Sequence, residues 1–359
     1  MAKKDDWRCN SNDTVKEYGH VVNKNSSKRD KSIDFLSGLL LSYMIYTHIS
    51  QVTLCDETTL YILLDSFLFF FMPWFYFKSG VFYKKCGESS QKSLKKIWKR
   101  FVLPFIVFSI ANIPIYCLSF FHNSTNDSQF FPSFIKQIIY DFIIVGSPFG
   151  NAPMWFLISL IFIRLLALRI QKDDLYLLMS FSFLVISFFL WKYHIGPIRL
   201  VIPSLLGFFF FTLGYFFKYI QYHFLLFLSA IVFYTYFLIF CPFHVSIRSN
   251  EIYNEGVVSS NGGGYFYALL FSLSGIIVIN NLAKYALKYE LLKSSKLFSL
   301  FCNIGEDSMY YFVIHWIYLS FWSCFLHFCD INLLSLYILL PITLYISKRL
   351  HILDSFTNS

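Results

Sequence analysis

Two histidines stand where a bilayer-spanning chain can least tolerate a titratable group. His48 closes the run "SIDFLSGLLLSYMIYTHIS", and His315 lies within "DSMYYFVIHWIYL". Imidazole titrates near neutrality, so it can take a proton from a hydroxyl nucleophile and return it later. An ionisable side chain inside a membrane is costly, and by default it faces a polar cavity or a partner and marks a function. The plainer reading of each ring is structural: a hydrogen bond to a carbonyl, near the outer headgroups for His48 and between helices for His315. Asp34 opens the first run, where it suits the positive end of a helix dipole. Ser37 lies three turns before His48 on the same face, and Gly38 beside it permits close helix packing.

Cations form a second group. Lys78 lies in "FFFMPWFYFKSGVFYKK". It is close enough to Lys84 and Lys85 to snorkel to the inner surface. Alternatively, it draws an anionic cofactor to an inward-facing mouth. Lys96, Lys99 and Arg100 lie in "KKIWKRFVLPFI". Arg164 and Arg199 are open to both readings, structural and functional.

The elements that must hold these residues follow from composition. The chain has 359 residues, of which only 14% are charged and 21% are aromatic. Its mean hydropathy is +0.54. A soluble chain of this length needs more polar surface than that. Apolar runs of about 20 residues recur, and each can cross the bilayer as a helix. The expected fold is all-α, a polytopic bundle of about ten transmembrane helices near 33–53, 64–83, 101–121, 153–170, 174–191, 198–217, 222–240, 264–284, 308–328 and 331–347. A polar, basic segment over 1–31 precedes the membrane domain of 32–348, and a short tail, 349–359, follows it. No apolar core with a small-residue cleavage site precedes the first run, so that helix is expected to act as an uncleaved signal anchor.

Lys and Arg gather in alternate loops, which explains the net charge of +9 without nucleic acid. The alternation implies both termini in the cytoplasm. Two outer loops are long. Residues 122–152 contain "SFIKQIIYDFIIVG", too short to span and suited to an interfacial or re-entrant helix. Residues 241–263 end in the flexible run "SSNGGG". The eight cysteines show no CxxC pair and no metal-ligand spacing, and are read as mostly free thiols. No metal is called for.

Five segments in order resemble the membrane acyltransferase-3 family, within it the fucose 4-O-acetylase-like branch. They are "SIDFLSGLLLSYMIYTHI", "FFFMPWFYFKSGVFYKK", "KKIWKRFVLPFI", "GNAPMWFLISLIF" and "NIGEDSMYYFVIHWIYL", and the resemblance covers most of residues 30–347. It implies transfer of an acyl group, usually acetyl from acetyl-CoA, to a sugar hydroxyl of a cell-envelope or exported polysaccharide, in the inner (plasma) membrane. The acceptor could be lipid-linked. By resemblance His48 is the general base, and Asp34, in the same first segment, and His315, in the last, are expected to be catalytic residues too. Arg100 matches the basic residue before the Leu-Pro and would hold CoA phosphates with Lys96 and Lys78. Asn151 and Trp155 match the later motif and are expected at the acceptor; Trp155 also suits an interfacial anchor. Much of the family has Arg or Lys eleven residues before the first-helix histidine. Here that residue is Ser37, so the role of that cation is not carried over. The competing class is a lipid-linked glycan carrier or flippase, or a polysaccharide polymerase, neither of which uses acetyl-CoA.

Overall fold

Apolar runs become helices, and the polar or proline-bearing breaks set their ends. The computed structural model describes residues 30–53, 67–83, 90–123, 130–170, 172–193, 200–217, 224–240, 263–288 and 295–350, and every regular element among them is helical. Helix α1 is Lys31–Thr53 and α2 is Phe71–Val81. A long helical stretch follows in pieces: α3 (Ser90–Ile97), a π-helical turn (Trp98–Val102), α4 (Leu103–Ala111) and α5 (Ile113–Asn123). The π turn lies where Pro104, lacking an N–H, would crowd the carbonyl of residue 100 in a regular helix. The break at Asn112 precedes Pro114 in the same way.

Next come α6 (Phe130–Ile139) with its own π turn (Tyr140–Val145), a 3-10 turn (Pro148–Gly150) and α7 (Met154–Arg169). The order closes with α8 (Asp173–Lys192), α9 (Val201–Phe217), α10 (Phe224–Phe240), α11 (Gly263–Lys288), α12 (Lys296–Glu306), α13 (Ser308–Phe328) and α14 (Leu336–Arg349).

Four helical stretches among the described residues are long and apolar enough to cross a membrane: Gln91–Phe120, Asp173–Lys192, Tyr265–Lys288 and Ser308–Phe328. Val201–Phe217 and Phe224–Ile239 are shorter apolar helices. Each of the ten expected runs contains a helix, although the second, among its described residues, is α-helical over Phe71–Val81 only. Large apolar side chains such as Leu178, Phe181, Leu225, Val232 and Ile338 point outward. Water would penalise that surface and acyl chains do not.

Two features depart from expectation. The basic residues Lys92 to Arg100 lie on helix rather than in a loop, continuous with the apolar stretch. Helix α12 forms inside what reads as a basic inner loop, with Ser295 as its N-cap accepting from the Leu297 N–H. The segment expected to hold an interfacial or re-entrant helix is helical, as α6 and its π turn. Lys84, Lys85, Arg199, the 241–262 loop and almost all of the terminal segments lie outside the described residues. So do Cys9, Cys55, Cys86 and Cys241; Cys117, Cys302, Cys324 and Cys329 are free thiols.

Glycines set the closest helix crossings. A Cβ on Gly38 would meet the Phe301 carbonyl oxygen at 1.9 Å, and one on Gly305 would meet that of Asp34 at 1.7 Å, so α1 and α12 touch backbone to backbone. Gly80 and Gly214 do the same for α2 and α9, against the carbonyls of Phe211 (1.9 Å) and Phe77 (2.0 Å). The first crossing makes a prediction. Gly305→Val should separate α1 from α12 and cost at least about 1–3 kcal/mol, seen as a lower unfolding midpoint of the protein in detergent. Leu297→Ala, at a side chain 64% exposed on the same helix, should stay within about 0.5 kcal/mol of wild type.

Candidate active site

His48 lies near the end of α1, and His315 lies two turns into α13. The packing of these helices stacks the two rings, with centroids 5.5 Å apart and planes at 17°. The edge of Trp316 closes on His48 at 5.1 Å and 84°. His315 is completely buried. Its Nδ1–H donates to the carbonyls of Phe312 (2.8 Å) and Tyr311 (3.1 Å). Carbonyl oxygens only accept, so the proton belongs on Nδ1 and Nε2 carries the lone pair. That Nε2 is buried with no hydrogen-bond partner, an arrangement that costs free energy until a donor arrives. His48 is half-buried. Gln51 Oε1 lies 3.4 Å from its Nδ1, long for a hydrogen bond.

A strap over 146–151 reaches this pair. Gly146, Phe149 and Gly150 all have φ between 53° and 71°, so the chain turns sharply here. The Trp316 indole N–H donates to the Gly150 carbonyl at 2.8 Å, which links the strap to the ring beside His48. Asn112, at the α4–α5 break, donates from Nδ2 to the Phe149 carbonyl (2.7 Å). Asn151 donates from Nδ2 to the Phe108 carbonyl (3.3 Å), and its own carbonyl receives the Met154 N–H. Both Asn112 Oδ1 and Asn151 Oδ1 remain buried without a partner. Trp155 is buried and edge-on to Phe156, which meets Phe312 at 5.3 Å.

The expected residues therefore divide. His48 and His315 come together, and Asn151 joins them through the strap. Lys78 is further off: its Nζ donates to Ser308 Oγ at 3.3 Å, beside the rings of Trp74 and Phe75. Ser308 and His315 share a face of α13 two turns apart, roughly 10 Å along the axis. Asp34 is buried but about 21 Å from His48 along α1, at the crossing with α12. Lys96 and Arg100 are exposed on α3 and the π turn. Ser37 is buried and bonds the Ile33 carbonyl of its own helix.

Trp316 and Asn112 were not singled out by sequence. The signal existed: Trp316 adjoins His315, and Asn112 interrupts an apolar run.

Asp141 anchors the strap. Its backbone carbonyl accepts from the N–H groups of Gly146 and Ser147. Its carboxylate accepts from Tyr116 Oη (3.0 Å) and Gln137 Nε2 (2.8 Å). Burial pushes the carboxyl above its usual range, against the opposing pull of those two hydrogen bonds. The folded state then holds this proton more tightly than the unfolded state. Its contribution is full below the unfolded-state value of about 4 and is lost as pH rises through the higher folded value. Asp141→Asn, which copies the neutral form, should flatten that decline. Thermal unfolding measured from about pH 4 to neutrality checks this; an equal slope in both proteins would contradict it.

Compared with family models, with curated proteins and with solved structures, the chain matches none.

Proposed function

We propose that this chain is an integral membrane O-acyltransferase that moves an acyl group, acetyl in the simplest case, from acetyl-CoA to a sugar hydroxyl of a cell-envelope or exported polysaccharide. About ten spans hold it in the inner (plasma) membrane with both termini cytoplasmic. The observation that carries the reading is the stacked His48–His315 pair, in which one ring is fully buried with a fixed tautomer and the other is half-open.

His48 acts as the general base. It accepts the proton of the acceptor hydroxyl as that oxygen attacks the thioester carbonyl carbon. The tetrahedral intermediate collapses, the C–S bond breaks, and the imidazolium returns the proton to the departing thiolate. His315, held by two backbone carbonyls, positions His48 through the ring stack and keeps a lone pair beside the reacting proton. Asn112 and Asn151 offer carboxamide oxygens for acceptor hydroxyls. Lys78, bonded from α2 to Ser308 two turns along α13 from His315, supplies positive charge towards the donor's phosphates, with Arg100 and Lys96 at the entrance.

The test is transfer of label from acetyl-labelled acetyl-CoA into glycan by membranes containing the chain and its native acceptor. Wild type should label the glycan. His48→Ala, at equal protein level, should lower the rate by about 100-fold or more. Absence of label with wild type would overturn the reading and favour a glycan carrier.

A further inference from the structure

Arg164 is a cation whose hydrogen bonds do not account for it. It lies on α7, five residues before the helix end at Arg169. Its Nη2 donates to the Ser79 carbonyl on α2 at 2.9 Å. The guanidinium lies against the rings of Tyr83 (5.3 Å) and Phe211 (5.5 Å). The Nε–H is buried with no acceptor, and so is the hydroxyl of Ser79, on the very residue whose carbonyl Arg164 holds. No carboxylate among the described residues forms an ion pair with it. The charge that acts on it is Arg100, of the same sign.

Magnitudes decide what this means. Burying a guanidinium away from a counter-ion costs several kcal/mol. Two aromatic faces return about 0.5–2 kcal/mol each, and one neutral hydrogen bond about 1 kcal/mol. The nearby hydroxyls do not help: Tyr83 and Tyr176 both donate to the Ala167 carbonyl. Arg164, with two unused donors at one locus, its own Nε–H and the Ser79 hydroxyl, lacks an acceptor group that carries negative charge.

We infer that Arg164 and Ser79, with the charge of Arg100, form a binding site for a phosphate group. A phosphate oxyanion can accept from Arg Nε–H and Ser Oγ–H together, and its charge offsets both guanidinium groups. Two sources offer that chemistry: the headgroup of an anionic phospholipid, and a soluble phosphate-bearing compound such as coenzyme A. The site stands on the unpaired donors of Arg164 and Ser79 and does not depend on acyl transfer; Arg100 alone is shared with that reading.

The experiment uses the full chain in neutral detergent, without added lipid. Binding of coenzyme A and of phosphatidylglycerol is measured separately by equilibrium titration, for wild type, Arg164→Gln, Arg164→Lys and Ser79→Ala. At least one probe should bind wild type, and which one does identifies the source. Arg164→Gln should weaken that binding by about tenfold or more. Arg164→Lys keeps the charge but loses the planar fork, so it should fall between the two. Ser79→Ala should weaken binding several-fold without altering charge, and it decides the matter if the Arg164 variants do not fold. Failure of both probes to bind wild type overturns the site, as does a well-folded Arg164→Gln or Ser79→Ala that binds as tightly as wild type. Neither result involves glycan acetylation, so failure here and failure of the acyltransferase reading are distinguishable.

Discussion

Backbone contact between helices is the constraint on which the arrangement rests. Among lipid tails, leucine gains little by leaving the solvent, so helices are held by close packing and by polar contacts. Glycine permits that closeness at Gly38 and Gly305, where α1 meets α12, and at Gly80 and Gly214, where α2 meets α9. The consequences reach far along each helix. Helix α1 is pinned at its Asp34 end, and His48 rides about 21 Å away on the same rigid rod. A slip of one residue would translate α1 by 1.5 Å and rotate it by about 100°, taking His48 off the His315 ring. Helix α2 carries Ser79 directly beside Gly80, so the α2–α9 crossing fixes the carbonyl that holds Arg164.

Hydropathy made the helices legible, because a backbone in lipid must satisfy its own hydrogen bonds and every apolar run resolves the same way. Proline made some irregularities legible as well: Pro104 accounts for the π turn before it. What escaped was whatever depends on pairing between distant segments. Helix α12 is short, and its stabilisation comes from Gly305 meeting the Asp34 carbonyl, a contact that no local pattern announces. Asp34 looked like a companion of His48 because the two share a helix, yet fourteen residues of rise separate them. Lys78 was legible as a cation near a membrane surface; its bond to Ser308 was not. Trp316 passed as one more aromatic among many, since only the strap's Gly150 carbonyl gives its indole N–H a purpose.

Many of the buried polar side chains among the described residues are silenced by their own helices. Ser37, Thr47, Ser109, Ser204, Ser274, Asn280 and Asn281 all bond a carbonyl three or four residues back. Against that background the unused atoms carry information. Beside the histidine pair and the strap they are acceptors: His315 Nε2, Asn112 Oδ1 and Asn151 Oδ1. Between α2 and α7 they are donors: Arg164 Nε and Ser79 Oγ. The tautomer of His315 and the orientation of both amides follow from the carbonyls they bond, so the assignment of acceptor and donor is not arbitrary. A cluster of acceptors suits a neutral ligand rich in hydroxyls, and a cluster of donors with excess positive charge suits an oxyanion. One helical bundle thus presents two loci of opposite hydrogen-bonding sense. That opposition is what a protein needs if it is to keep a polyol and a phosphate-bearing compound from occupying each other's place.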